Sequence, residues 1–449
     1  MTGRFAGERA VVVGAGVAGT GSARALSAEG AHVLVTEARP ETDVPSAAEL
    51  RAVGVEVRTG GHDPGHFEAA TLVVTGPGVP PDADVLRWAR ERGLPVWGEM
   101  ELGARLARAP YLAVTGTNGK TTVTSMIETC LRAGGLDALA CGNIGLSFPE
   151  AAREERDVFV VEVSSFQLAL QESFHPIVSV LLNVGPDHLD WHGTFEAYVE
   201  AKERVHARQS GTDVHIGNRD DRVAAEISSR ATCALRWFRK GPPDESEVGY
   251  VGDELVANLD GMHRLGRIDG GRAGYREDAA AAAAVALAYG GEPAAVAAAL
   301  PGVHPGPHRG EVVATVDGVR FVDNSKATNV HAAAAAIDGA GDAVLIAGGR
   351  AKGVDLSPLG AHAGRLRAVI AIGESAADVV SVFQGSVPTA IAGSIEEAVR
   401  DAFAAAAPGV TVLLAPACAS WDQFANYAER GDRFAAAARS LRAEAGARG

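Results

Sequence analysis

Short β-branched runs that end at glycine and hand over to alanine-rich helical stretches constrain this chain more than any other feature. "RAVVVGAG", "AHVLVTE", "VEVRTG" and "TLVVTGPG" occupy the first hundred residues; "YLAVTG", "VFVVEVSS" and "IVSVLLNV" open a second cycle near Tyr111; "RFVDNS", "AVLIAGG", "AVIAIG" and "VTVLLAP" form a third. A strand that is apolar on both faces must be covered on both, and crossover helices that do so leave neighbouring strands parallel. The chain therefore predicts an α/β protein of parallel sheets wrapped by helices. Its 449 residues suit about three domains at roughly 150 residues each. "PGVHPGPHRG" near Pro301 interrupts every pattern with proline and glycine, which marks a linker and a hinge candidate. "DAAAAAAVALAYGG" (278–291) and "HAAAAAIDGAG" (331–341) read as helices ending at glycine, and the closing "RSLRAEAGARG" is expected to fray.

Apolar residues at 47% and charged residues at 22% match ordinary globular composition. With 41 Lys and Arg against 56 Asp and Glu, the net charge of −15 recommends neither nucleic acid nor an anionic membrane as a partner. Anionic ligands must then be held by backbone N–H groups, a few placed cations and metal ions. Cys130, Cys141, Cys233 and Cys418 lack the paired spacing of a zinc site or a disulfide scaffold, which fits a reducing cytoplasm. No apolar stretch approaches the ~20 residues of a membrane span, and the start "MTGRFAGERAVVVGAG" carries no secretory signal pattern. A cytoplasmic monomer is expected.

Two strand-to-helix turns carry the chemistry. Gly14, Gly16 and Gly19 form G-x-G-x-x-G after the first strand, with Glu37 closing the next. Such a turn lets a pyrophosphate approach a helix N-terminus, and it does not choose NAD over a nucleotide sugar. The second turn, "VTGTNGKTT" (114–122), is a shortened phosphate loop, since Val114 stands where the usual P-loop has its first glycine. Gly116, Gly119, Lys120, Thr121 and Thr122 still supply N–H groups for a triphosphate, an ammonium for the terminal phosphates and a hydroxyl for Mg²⁺. Glu162 ends the strand "DVFVVEVSS" and is a candidate metal carboxylate. Asp187, His188, Asp190 and His192 share one loop, followed by Lys202 on a helix.

"GTNGKTT", "VVEVSSFQ", "NVGPDHLDWHGTFEAYVEAK", "VDNSKATN" and "LLAPACASWDQF", in this order along nearly the whole chain, resemble the Mur ligases. The resemblance implies an N-terminal Rossmann-like domain (1–108) that binds a UDP-linked substrate instead of NAD. It further implies a central P-loop ATPase-like domain (109–305) and a C-terminal Rossmann-like domain (306–449) for the incoming amino acid. It implies ATP-dependent joining of D-glutamate to UDP-N-acetylmuramoyl-L-alanine through an acyl phosphate, in peptidoglycan precursor synthesis. Lys120, Glu162, His188 and Lys202 would be catalytic. Gly116, Thr117, Asn118, Gly119, Lys120, Thr121 and Thr122 would surround ATP with Asp278, Arg309, Asn324 and Lys326, and His308 would accompany Arg309. Substrates would meet Val17, Ala18, Glu37, Gly76, Pro77, Gly78, Asn143, Thr328, Lys352, Ser420 and Tyr427. Thr121, Glu162, His188 and Lys202 would hold two Mg²⁺ ions, with Lys202 carbamylated by CO₂. An unmodified ammonium about 6 Å from a divalent ion would be repelled by roughly 5 kcal/mol at an effective ε near 20, whereas a carbamate is an anionic ligand.

Two departures fall near the expected adenosine pocket. Asn324 replaces the family's usual aspartate, and "GRAGYREDAAAA" replaces a His-Asn-x-x-Asn-Ala pattern, with Asp278 at the second asparagine. Rival readings are another amino-acid ligase of the Mur or folylpolyglutamate type, an NAD-dependent oxidoreductase using the Gly14 turn, and a catalytically silent nucleotide-binding scaffold.

Overall fold

The computed structural model describes residues 3–268, 274–303 and 306–446. They fall into two compact units, one of Met1–Val184, Val199–Ile268 and Glu277–Val303, the other of Gly185–Tyr198, Asp269–Arg276 and His304–Gly449.

The first unit holds two sheets. β1 (Arg9–Val13), β2 (His32–Thr36), β3 (Glu56–Arg58), β4 (Leu72–Thr75) and β5 (Val96–Gly98) pair in parallel in the order β3-β2-β1-β4-β5. The second sheet comprises β6 (Tyr111–Thr115), β7 (Ala138–Gly142), β8 (Val158–Glu162), β9 (Val178–Leu181), β10 (Val214–Asn218), β11 (Ala234–Phe238), β12 (Glu247–Val251), β13 (Glu254–Asn258) and β14 (Met262–Arg267). Its order is β14-β13-β12-β11-β10-β9-β6-β8-β7. β6 and β8 are wholly buried, as two-sided apolar strands must be.

Tyr111, Phe148, Phe159 and Phe174 interlock in the core of this unit, with ring centroids 5.1–6.4 Å apart. Fully burying each phenylalanine stabilises by ~1.5–3 kcal/mol. The helix Tyr275–Ala288 is buried on every side, with each residue from Ala279 to Ala286 showing no exposure.

The second unit is built on β15 (Glu311–Val316), β16 (Val319–Asp323), β17 (Ala343–Gly348), β18 (Leu366–Ile372), β19 (Thr389–Ile391) and β20 (Thr411–Leu414), in the order β15-β16-β20-β17-β18-β19. Its two faces carry separate apolar clusters, one around Phe321 and Phe434, the other around Leu345 and Phe383.

Every strand read from the sequence is present, and the two alanine-rich stretches are helices at Tyr275–Ala288 and Val330–Ala340. Antiparallel pairing at β12-β13-β14 and β15-β16 departs from the all-parallel expectation. The cause is local: Gly252 with Asp253, and Asp317 with Gly318, leave two-residue connections that only hairpins can use. The closing helix Tyr427–Gly446 carries the stretch expected to fray as far as Gly446. Within the linker the division between units falls after Val303, and its His304 and Pro305 lie outside the described residues, as do 271–273 of the departed adenosine motif.

Candidate active site

At the Gly14 turn the backbone leaves β1 with φ +90° at Gly14, and Gly16 caps the helix Val17–Ala28. A Cβ on Gly19 would stand 2.0 Å from the Gly14 carbonyl oxygen, so helix and turn pack backbone to backbone. Glu37 turns into this bend: its Oε2 accepts the Ala15 N–H at 2.7 Å, and Arg39 donates to both carboxylate oxygens at 2.9 and 3.1 Å. The Arg39 hydrogen bonds, opposed by burial and aided by the Arg39 and Ala15 N–H groups, hold the Glu37 carboxyl down at about 2.

A cavity of about 1040 Å³ opens here, lined by Gly14, Gly16, Val17, Ala18, Gly19, Glu37, Arg39, His62, Gly76, Pro77 and Gly78, and also by Glu99, Asn143 and Ser147. All the N-terminal substrate candidates read from sequence therefore share one cavity. Arg39, His62 and Glu99 were missed. Glu99 is buried, with one oxygen bonded to the Gln167 amide and the other without a hydrogen-bond partner. Burial raises its carboxyl to about 7, and the Gln167 bond pulls the other way.

At the second turn Gly119, at φ +86°, caps the helix Lys120–Ala133 and lets the chain double back. The Lys120 Nζ donates to the carbonyls of Gly116 at 2.9 Å and Thr117 at 3.0 Å, so the ammonium lies over the loop it is expected to serve. Asn183 clamps the loop, accepting from Asn118 N–H at 2.8 Å, donating to Asn118 O at 3.2 Å and accepting the Thr117 N–H on its own carbonyl at 2.9 Å. Asn183 opens the stretch "NVGPDHLDWHGTFEAYVEAK", but sequence reading assigned it no role of its own, because its loop partner Asn118 lies 65 residues away. Thr121 is half-buried and Thr122 buried. Asp278, in the first turn of the alanine helix, comes up against this loop, its Oδ1 only 2.4 Å from where a Gly119 Cβ would stand.

Glu162 lies at the end of β8, an interior strand between β6 and β7, at 2% exposure. Asn143 donates to its Oε1 at 2.9 Å, while Oε2 is buried with no hydrogen-bond partner. A solvated edge glutamate is excluded. Lys202, on the helix Phe195–Glu203, is 1% exposed, which removes the reading of a solvated surface lysine. Among the described residues no three His, Cys, Asp or Glu side chains converge as a metal cage. The unpartnered Glu162 oxygen, an acceptor with nothing to accept, still suits a hard cation that keeps part of its water shell.

In the second unit His188 takes a left-handed φ of 53°, and its N–H donates to Asp187 Oδ1 at 2.9 Å. Asp187 is buried and accepts from the Lys352 ammonium and from Asn329 Nδ2 at 3.0 Å. Burial pushes its carboxyl up, but Lys352, His188 and these hydrogen bonds outweigh burial and leave it below the usual carboxylate range. Lys352, expected to face a glutamate carboxylate, thus already holds an internal one.

Lys326 places its ammonium 3.8 Å from the Tyr427 ring centroid. Its N–H donates to His308 O, and the Thr328 N–H returns to Lys326 O at 2.8 Å. Asn324 uses its N–H on Leu414 O, and the carboxylate of the neighbouring Asp323 is bonded to His308 Nδ1 at 2.7 Å. Arg309 is half-buried beside His308, and Ser420 is buried after β20.

Residues 8–98 match the MurD-like N-terminal domain of Mur ligases, 114–250 the Mur ligase middle domain and 308–418 the Mur ligase glutamate ligase domain. The chain belongs to the Mur ligase family. It is 44% identical to the UDP-N-acetylmuramoylalanine–D-glutamate ligase of Frankia casuarinae over 97% of this chain and 95% of that one. Against the ligase of the same name from Streptomyces avermitilis it is 40% identical, covering 97% and 98%. Among solved structures, the MurF ligase of Thermotoga maritima in complex with ADP shares the fold at a TM-score of 0.60 and 17% identity, covering 91% of this chain and 96% of that one. MurC of the same organism does so at 0.61 and 16%, covering 96% and 99%. The three-domain α/β architecture expected of a Mur ligase is present. No helix among the described residues is long and apolar enough to cross a membrane.

Proposed function

We propose that this Mur ligase joins D-glutamate to UDP-N-acetylmuramoyl-L-alanine at the expense of ATP, releasing ADP and phosphate in peptidoglycan precursor synthesis. One observation carries the reading: a single cavity has the Gly14 turn in its lining and also Asn143, whose amide holds Glu162. A UDP-sugar seated by its diphosphate on the turn extends toward Asn143 and brings its peptidyl carboxylate near the end of β8. The Glu37 carboxylate, committed to Ala15 and Arg39, keeps the turn rigid, and this speaks against the NAD reading, in which that acid would be free for a ribose.

The donor carboxylate attacks the γ-phosphoryl group of ATP to give an acyl phosphate, and the amine of D-glutamate then displaces phosphate. Phosphoryl transfer demands positioning and charge neutralisation more than covalent help. On ATP binding Lys120 exchanges its two carbonyl partners for phosphate oxygens. Thr121, Glu162, His188 and carbamylated Lys202 would hold magnesium, which when bound neutralises charge on the transferring group. Gly116 to Thr122 with Asp278, Arg309, Asn324 and Lys326 attend ATP, and Thr328, Lys352, Ser420 and Tyr427 attend glutamate. Domain limits of 1–108, 109–305 and 306–449 belong to this reading, each enclosing one family match, as does a monomeric cytoplasmic state.

Product analysis with UDP-N-acetylmuramoyl-L-alanine, ATP and a panel of D- and L-amino acids tests it. ADP is expected with D-glutamate; turnover with another acceptor and none with D-glutamate overturns the substrate assignment.

A further inference from the structure

Arg430, in the helix Tyr427–Gly446, has no solvent exposure. Its Nε donates to Ser325 Oγ at 3.0 Å, Nη2 to Ser325 O at 2.9 Å, and Nη1 and Nη2 both to Cys418 O at 3.2 Å. None of these partners is a carboxylate. Ser325 follows β16 and Cys418 follows β20, which pair as parallel neighbours. The third adjacent strand, β17, is drawn in as well: a Cβ on Gly349 would stand 3.3 Å from Arg430 Nη1, and Arg350 bridges to Ala419 through two backbone hydrogen bonds of 2.9 and 3.0 Å. Ser325 Oγ passes the contact on, donating to Tyr427 O at 2.7 Å, and the Tyr427 ring lies under Lys326.

One guanidinium thus ties together the two strand ends that carry Thr328 and Ser420, and the Arg350–Ala419 bridge joins to them the one that carries Lys352. Its planar fork of five donors is suited to this, where a lysine would offer a point charge. Burial lowers its pKa to about 10, so the group remains cationic at neutral pH.

We propose that Arg430 is the positioning residue of the acceptor subsite, fixing the spacing of Thr328, Ser420 and Lys352 so that they read the two carboxylates of an amino dicarboxylic acid. This rests on the glutamate-ligase reading. The test uses the full-length protein and the acceptor that the wild type turns over fastest from the amino-acid panel, so a wrong acceptor assignment shows itself in the wild type alone. Arg430→Lys is expected to raise the KM for that acceptor at least tenfold while the KM for ATP stays within twofold. A KM for the acceptor that is unchanged, with kcat reduced only in proportion to the folded fraction, overturns the proposal. Should Arg430→Lys not fold, Ser325→Ala, which deletes one hydrogen bond and the relay to Tyr427, takes its place with an expected rise of about threefold. An unchanged acceptor KM there overturns it equally.

Discussion

The two glycine turns of the first unit occupy the same architectural position, each leaving a parallel strand for a helix N-terminus, and they are armed in opposite ways. At the Gly14 turn a carboxylate reaches in, Glu37 taking the Ala15 N–H with Arg39 behind it. At the Gly116 turn a cation folds over, Lys120 capping two loop carbonyls. The backbone geometry common to both favours a phosphate. What differs is the side-chain charge placed nearest, a carboxylate at the first turn and an ammonium at the second, so in the proposed reaction the second is the one that faces the phosphoryl group being transferred.

The strongest challenge to that contrast is Lys120→Ala. Loss of a placed cation facing developing charge should lower ADP release about 10²–10³-fold, or ~3–4 kcal/mol of barrier, with the donor KM within twofold in steady-state assays. A change confined to the donor KM would merge the two turns into one function. Next come Gly19→Ala and Gly119→Ala, made as a pair. The first drives a methyl into the Gly14 carbonyl, and the second forces alanine to φ +86° against Asp278. Each should cost ~1–3 kcal/mol in thermal or urea unfolding. The first should raise the KM for the UDP-sugar, the second that for ATP; the same KM rising in both would break the comparison.

Glu37→Gln sharpens it further, at a cost of ~1–2 kcal/mol at neutral pH from weakened hydrogen bonds to a charged acceptor. The folded Glu37 carboxyl sits at about 2, below its ordinary 4.5. Its stabilisation is therefore present above pH 4.5 and lost as pH falls toward 2. The melting temperature of the wild type should drop across that window more steeply than that of the variant. Smallest of all is Val17→Ala, at 75% exposure: unfolding should move by less than ~0.5 kcal/mol and the donor KM by about twofold.

How much could be read in advance depends on where each signal resides. Apolar runs such as "AVVV" and "VFVV" announce strands because burial on two faces leaves no room for alternation. The hairpin at Asp317 and Gly318 was also legible as a two-residue turn, but the parallel pattern around it masked it. Gly119, Lys120 and Glu162 could be named because spacing alone links them to a strand end. Asn183, Arg39 and Arg430 could not. Asn183 and Arg430 act through partners 65 and 105 positions away, Arg39 through Glu37 two residues before it, a spacing that marks no particular role, and no local pattern marks an asparagine as a clamp or an arginine as a hub.

The alanine helix that carries Asp278 in its first turn has one consequence of its own. Seven alanines and Val285 are all that separate its axis from what surrounds it between 279 and 286, so the interior there has no slack into which a larger side chain could be folded. Widening any position from Ala279 to Ala286 would have to displace the whole rod, and its leading end carries the carboxylate resting against Gly119. The most monotonous stretch of the chain is thereby its least forgiving, a spacer whose thinness sets how closely an acid can approach the phosphate loop.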